Sequence, residues 1–345
     1  SCIVEKLMAK SPEERYASAF GLRADLEQAR ALLESGRSDF VAGLYDRSDE
    51  FRIPERLYGF DRLIERLHSL YQSVNRRQSV SLSIFGESGA GKTALVNEIH
   101  RWITPGRGFF IRGKYQRLNT DVPYSGIIAM LRDLCVQLLL EPEDRLKVWQ
   151  EEIQKAVRSN GQILIDLVPE LSLVMGPQPA LDEPGPAEAH NRFLFTIGSF
   201  IRVFASGEQP LVLMLDDLQW ADMASLHLIQ NIATARDATN MFFIGLYRSE
   251  EVEEPLRILI DEIRKIREVH EIYVEPLSIE AVLQMICDTF RCTPERAADL
   301  TVIVHRFGQG NPFFTRELLK DMYDSGIVAF DPTSGEWKWD LVRFR

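Results

Sequence analysis

Cysteine is scarce in this chain, with four in 345 residues (Cys2, Cys135, Cys287 and Cys292), and only the last two lie close together. One close pair lacks the second pair of ligands that a zinc site needs, and four scattered thiols make no disulfide framework. Reduced, buried thiols in an intracellular protein are expected instead. Excess positive charge is missing too: 51 acidic residues against 40 basic ones give a net charge of -11 and a pI near 5.2. No overall field therefore draws nucleic acid or an anionic membrane surface. No apolar run reaches the length of a membrane span, and the most hydrophobic helical stretch, Phe193 to Ala205, is interrupted by Arg202. The first residues, SCIVEKLMAK, have neither an initiator Met nor the layout of a signal peptide. They predict a segment of a longer polypeptide, located in the cytoplasm. The six histidines (His68, His100, His190, His227, His270 and His305) show no mutual spacing that suggests a site. What remains is an ordinary globular composition, 45% hydrophobic and 26% charged, in a chain long enough for two or three domains.

Ser11-Pro12-Glu13-Glu14 reads as a capped helix start, and Tyr16, Phe20, Leu22, Leu26, Ala29 and Leu33 recur at helical spacing. One helix to about Glu34, ended by Gly36, is predicted. Residues 37–53 have mixed charge and no sustained period, and read as a linker. Beyond them helices and strands alternate: a helix near Asp61 to Ser73, then strands at Val80–Phe85, Phe109–Arg112, Leu211–Leu215, Met241–Tyr247 and Glu271–Val274. Such alternation predicts an α/β fold with a parallel sheet covered on both faces. Leu138 to Ala189 reads as a helical insertion followed by a Pro/Gly-rich surface loop. After Pro276 the pattern is purely helical, with starts at Ser278, Thr293-Pro294 and Asn311-Pro312. The chain then closes with a β-hairpin, Ile327–Phe330 and Glu336–Asp340 around a DPTSG turn.

The residues that carry chemistry sit at the ends of the predicted strands. Gly86-Glu87-Ser88-Gly89-Ala90-Gly91-Lys92-Thr93 matches G-x-x-x-x-G-K-[ST], with a strand before it and a helical pattern after it. A polyphosphate must be held by backbone N–H groups, and glycines let the backbone wrap closely around it. Leu211 to Leu215 ends in Asp216 and Asp217, the Walker B pattern. Met241 to Tyr247 ends in Arg248, which the carboxyl-end rule of parallel sheets points toward the same ligand. Trp220-Ala221-Asp222 reads as a helix cap with a packed indole.

These motifs resemble those of P-loop NTPases. The resemblance assigns Lys92 to the β and γ phosphates of ATP and makes Thr93 and Asp216 the Mg²⁺ holders. Asp217 stands where many relatives have a water-orienting glutamate, and its side chain is one methylene shorter, so slow turnover is expected. Together with PERLYG (Pro54 to Gly59), LDDLQWAD (Leu215 to Asp222), GLYRSEEV (Gly245 to Val252), EPLS (Glu275 to Ser278) and GNPFF (Gly310 to Phe314), they resemble the AAA-type ATPases. Within these, they are similar to the STAND signalling class. That resemblance implies a three-layer P-loop sheet with a C-terminal helical lid, Arg248 as sensor of the terminal phosphate, and Pro312, Leu57 and Tyr58 beside the adenine. Relatives often read GRE where this chain has Gly59-Phe60-Asp61.

Residues 2–29 resemble the last helices of a protein kinase C-lobe, in which K-x-P-x-x-R-x-x-S precedes the final helix, and Arg15 matches the arginine that anchors the activation segment. No Gly-rich kinase loop, β3 lysine, HRD or DFG is present, so the chain as given is no kinase. The expected layout is a kinase-like tail at 1–36, the linker at 37–53, an ATPase core at 54–276, a lid at 277–326, and at 327–345 a hairpin beginning a further domain. The resemblance implies a nucleotide-controlled switch in a large signalling kinase, partnered by the parent's other domains and by proteins, and compatible with a nucleotide-dependent oligomer. Two alternatives stay open: a DNA-handling AAA ATPase of origin-recognition type, against which the acidic balance weighs, and a non-hydrolysing module stabilised by nucleotide.

Overall fold

The computed structural model describes residues 2–9, 15–16, 18–35, 40–43, 50–74, 78–103, 108–119, 122–180, 186–205, 209–235 and 237–344. Its contacts divide into two compact units, residues 60–275 and residues 1–59 with 276–345. The segment Pro54–Gly59 therefore counts with the C-terminal helices.

The larger unit is built on five parallel strands: β1 (Val80–Gly86), β2 (Phe109–Lys114), β3 (Leu211–Asp216), β4 (Met241–Arg248) and β5 (Val269–Tyr273). They lie in the order β2-β3-β4-β1-β5. Nearly every residue of β1, β3 and β4 is buried. Burial on both faces is what continuous Val/Leu/Ile/Phe runs dictate, because a parallel sheet needs helices on each side. Alternate residues Phe109, Ile111, Leu211, Leu213, Met241 and Phe243 enter one apolar cluster with the helices Ser125–Leu139, Pro186–Ala205, Met223–Ala233 and Glu254–Ile266. The intervening Leu82, Ile84, Phe242, Ile244 and Leu246 are equally buried. The helices Asp61–Val74 and Lys92–Asn97 pack on β1, completing a helix–sheet–helix sandwich. Among the described residues the expected insertion contains three α-helices, Glu143–Val157, Gly161–Leu167 and Ser172–Met175, which cover the cluster through Ile153, Val157, Leu164 and Val174.

Register sets the functional edge. β1 and β4 pair with Gly86 opposite Arg248, and β2 and β3 pair with Lys114 opposite Asp216. All four residues thus end their strands at the carboxyl edge of one sheet. β1 and β3, which carry the phosphate-loop and acid motifs, are not neighbours: β4 lies between them.

In the other unit, the helix Ile279–Phe290 is capped by Ser278, whose hydroxyl accepts from the Ala281 N–H; Pro294–Gly308 and Pro312–Asp324 follow. Asn311 caps the last, accepting from the Phe313 and Phe314 N–H groups, as the Asn-Pro start predicts. The hairpin is β6 (Val328–Asp331) paired antiparallel with β7 (Glu336–Trp339). At the front, helices form at Cys2–Leu7 and Ala19–Ser35. The predicted start at Ser11–Glu14 lies outside the described residues. Arg15 and Tyr16 are not helical, and the Ser18 hydroxyl accepts from the Gly21 N–H, so the helix begins at Ala19. Arg15 donates to the Ala9 carbonyl. The four cysteines are free as expected, yet only Cys135 is buried; Cys2 is exposed and Cys287 and Cys292 are partly covered. Among the described residues no helix is long and apolar enough to cross a membrane.

Candidate functional site

The phosphate loop turns where its glycines allow. Gly91 has φ +96°, and a Cβ there would lie 3.0 Å from the Phe60 ring. Gly86 has φ +155°, and its Cβ would meet the Val274 carbonyl at 2.6 Å. Any side chain would be strained at the first and would clash at the second. Between them Glu87, Ser88 and Gly89 are exposed, while Ala90 is buried.

Lys92 begins the helix after the loop and is only 7% exposed. Its ammonium donates to the carbonyls of Gly86 at 2.8 Å and Glu87 at 2.7 Å, so the side chain lies along the loop that carries it. Burial lowers its pKa; nearby Glu250, Asp216 and Asp217 oppose the fall, in that order of strength. Thr93, next in the helix, donates its hydroxyl to Asp216 Oδ2 at 2.9 Å. That bond joins the loop on β1 to the acid on β3, across the intervening β4.

Asp216 and Asp217 are both buried. Asp216 Oδ1 accepts the Asp217 N–H at 2.9 Å, and Asp217 has φ +55°, a left-handed conformation that aspartate tolerates better than most residues. Among the described residues its carboxylate meets three partners. Gln219 Nε2 donates to Oδ1 at 2.9 Å, Arg248 Nε stands 3.4 Å from Oδ1, and Lys114 Nζ stands 3.0 Å from Oδ2. Lys114 also lies 3.6 Å from Asp216 Oδ2. Burial works to lower the Lys114 pKa, but its contacts with Asp217 and Asp216 outweigh this and raise it. Arg248 donates to Glu251 at 3.0 Å and its guanidinium lies 4.5 Å over the Trp220 ring. Its backbone N–H donates to Gln219 Oε1, so one glutamine ties the acid turn to the end of β4.

Lys92, Thr93, Asp216, Asp217 and Arg248 are therefore brought together from three strands. Leu57, Tyr58 and Pro312 belong to the other unit. There Tyr58 is buried and its hydroxyl donates to Asp288 at 2.9 Å, while Pro312 opens its helix. Lys114, Gln219 and Glu250 also take part; the segments LDDLQWAD and GLYRSEEV contain the last two, but the motifs assign them no role. Lys114 closes a strand, but that it faces the acids follows from the β2–β3 register, which the sequence alone does not give. Asp222 caps the helix Met223–Ala233 by accepting from the Ser225 N–H, as its motif position suggested.

The residues fit a magnesium-bound nucleotide. The donor set is a hydroxyl touching a carboxylate, beside a buried lysine and a loop of closely turned backbone. Mg²⁺ suits such a set because it takes one or two protein ligands and draws the rest from water and phosphate. Among the described residues no group of three or more His, Cys, Asp or Glu could hold a metal by itself.

A parallel sheet that bears a phosphate loop at the carboxyl end of one strand and an acid pair on the next strand but one defines a P-loop nucleotide-binding domain. The family described as the AAA ATPase domain matches residues 56–244, more than half of the chain, and the chain belongs to that family. It is similar to hybrid signal transduction histidine kinase G of Dictyostelium discoideum, 24% identical over 430 aligned positions covering 100% of this chain and 12% of that protein. It is also similar to the peroxide stress-activated histidine kinase mak3 of Schizosaccharomyces pombe, 22% identical over 97% of this chain and 18% of that protein. The chain thus spans less than one fifth of the length of either relative. Among solved structures, the Aeropyrum pernix ORC2 protein in its ADPNP-ADP complexes aligns with 14% identity and a TM-score of 0.47, over 81% of this chain and 66% of that one. Cdc6p from Pyrobaculum aerophilum aligns with 14% identity and a TM-score of 0.42, over 69% of this chain and 51% of that one.

Proposed function

We propose that this AAA ATPase domain binds ATP with Mg²⁺, hydrolyses it slowly, and acts as a nucleotide-controlled switch inside a larger cytoplasmic signalling kinase. The 2.9 Å bond between Thr93 and Asp216 carries the reading, because it unites the phosphate loop with the acid strand. In this reading the backbone N–H groups of Gly86 to Thr93 hold the polyphosphate, and Lys92 exchanges its two carbonyl partners for phosphate oxygens. Thr93 and Asp216 hold the magnesium ion, which when bound neutralises phosphate charge. Asp217 orients a water and accepts its proton. Arg248, already at the acid pair, supplies positive charge on the terminal-phosphate side. Leu57, Tyr58 and Pro312 are assigned to the adenine, and the helical unit that contains them is assigned the response to nucleotide state. The two relatives, both named as histidine kinases, support placing the switch in a multidomain kinase whose other domains are its partners.

Slow turnover follows from Asp217 itself, which is short for its role and is already engaged by Gln219, Arg248 and Lys114. The same Lys114 contact favours a second reading, a nucleotide-stabilised module that does not hydrolyse. Titration of the purified chain with ATP and ADP in Mg²⁺ tests the first claim, and absence of binding to both would end it. A single-turnover assay then separates the two readings: measurable cleavage retains the switch, and none leaves the non-hydrolysing module.

A further inference from the structure

The sheet register has a consequence just beyond its edge. With Gly86 opposite Arg248, the residues two further along each chain, Ser88 and Glu250, come together. Glu250 Oε1 accepts the backbone N–H of Ser88 at 3.0 Å, and its other oxygen accepts the Ser249 hydroxyl at 3.1 Å. One amide of the phosphate loop thus donates to a carboxylate from a segment 162 residues away. Burial works to raise the Glu250 pKa, but the N–H groups of Glu250 and Ser88, the Ser249 hydroxyl and the charge of Lys92 outweigh it and set it below the ordinary glutamate value. The contact also reaches Lys92, whose strongest opposing charge is Glu250, ahead of Asp216 and Asp217.

We propose that Glu250 is a nucleotide-discriminating residue: an internal carboxylate seated on the phosphate loop that disfavours a nucleoside triphosphate relative to a diphosphate. This rests on the nucleotide-binding reading above. A carboxylate on a loop amide offers the loop the same kind of partner that a phosphate oxygen does, and it repels added negative charge nearby. A triphosphate brings more negative charge than a diphosphate, so the penalty falls harder on ATP. The seat lies directly after β4, on the segment that also holds Arg248 and Glu251. Glu250 thus stands two residues from Arg248, which faces Asp217.

Glu250→Gln keeps an oxygen that can accept from Ser88 and removes the charge. Affinities of the full chain for ATP and ADP, each with Mg²⁺, are measured in wild type and variant, with the melting temperature as a check on folding. The expected result is a change of about tenfold in the ATP:ADP affinity ratio in favour of ATP, the effect of one charge contact in partly solvated surroundings. Because salt screens the attraction of Lys92 and Arg248 as well as the repulsion by Glu250, the ATP:ADP ratio should fall more steeply with salt in the variant than in the wild type. If Glu250→Gln folds poorly, Glu250→Ala, which also removes the charge, should shift the ratio in the same direction. A ratio unchanged within twofold, or shifted toward ADP, overturns the proposal. Loss of all nucleotide binding by the wild type overturns instead the reading on which it rests.

Discussion

The phosphate loop and the acid site opposite it are built in different ways. The loop is contiguous: eight successive residues provide its backbone, its lysine and its hydroxyl, and its shape follows from glycines at fixed places. The acid site is assembled. Asp216 and Asp217 come from one strand end, Lys114 from the neighbouring strand, Gln219 from the turn that follows and Arg248 from β4. A contiguous site resists small shifts of the sheet because its geometry is local. An assembled one depends on register, so a change in any strand end alters the charge around Asp217. Binding should therefore be governed by the loop and turnover by the assembled side.

The largest effect should come from the assembled side. Asp217→Asn removes the proposed proton acceptor, and single-turnover hydrolysis should fall by about 10³-fold, within the range for a general base, while ATP affinity stays within about threefold of wild type. A comparable loss of ATP affinity would erase the division of labour. Lys92→Ala attacks the loop, and ATP binding should weaken by about 10²-fold, as expected when one partner of a buried charged contact is truncated. Retained affinity with lost hydrolysis would show that Lys92 serves chemistry rather than binding.

Lys114→Met tests whether the assembled site is restrained by its own cation. Lys114 is more than half exposed, so its hold on Asp217 is discounted by solvent. Hydrolysis should rise by about two- to fivefold with ADP affinity unchanged, in keeping with one exposed charge contact. A fall in rate would instead make Lys114 part of the charge that supports turnover.

The same contrast decides what could be read from sequence. The loop was legible down to its individual residues because motif and geometry coincide there. The five strands were placed to within about two residues, since apolar runs ending in polar residues mark buried parallel strands. Of the assembled site, Asp216, Asp217 and Arg248 were visible as strand ends. Lys114 and Glu250 were not, because their importance arises from strand order and register, which no local pattern encodes. Gln219 was hidden differently: a polar residue inside an acid-rich turn looks solvated, yet it is buried and bonded to Asp217 and to the backbone of Arg248. The front helix shows a further limit. Apolar periodicity includes Tyr16 in the expected helix, but Tyr16 is not helical, and with the Gly21 N–H bonded to the Ser18 hydroxyl the helix begins at Ala19.

The smallest effect on chemistry is expected from the third acid of Leu215 to Asp222, and it sharpens the division most finely. Asp222 lies in the same short segment as Asp216 and Asp217, but its position in the sequence reads as a helix cap. Its oxygens accept from the N–H groups of Ser225 and Tyr124 and from the Ser225 hydroxyl, so the carboxylate caps one helix and ties down the residue before another. Asp222→Ala should cost about 1–2 kcal/mol of stability, as for a lost cap, and lower Tm by roughly 2–8 °C for a unit of this size. ATP affinity and single-turnover rate should stay within twofold of wild type at temperatures well below the transition. Asp222→Asn, which can still accept from Ser225, should recover much of the lost stability. If Asp222→Ala leaves Tm unchanged and slows hydrolysis, the acid site extends past the turn and Asp222 belongs with Asp217 rather than with the scaffold.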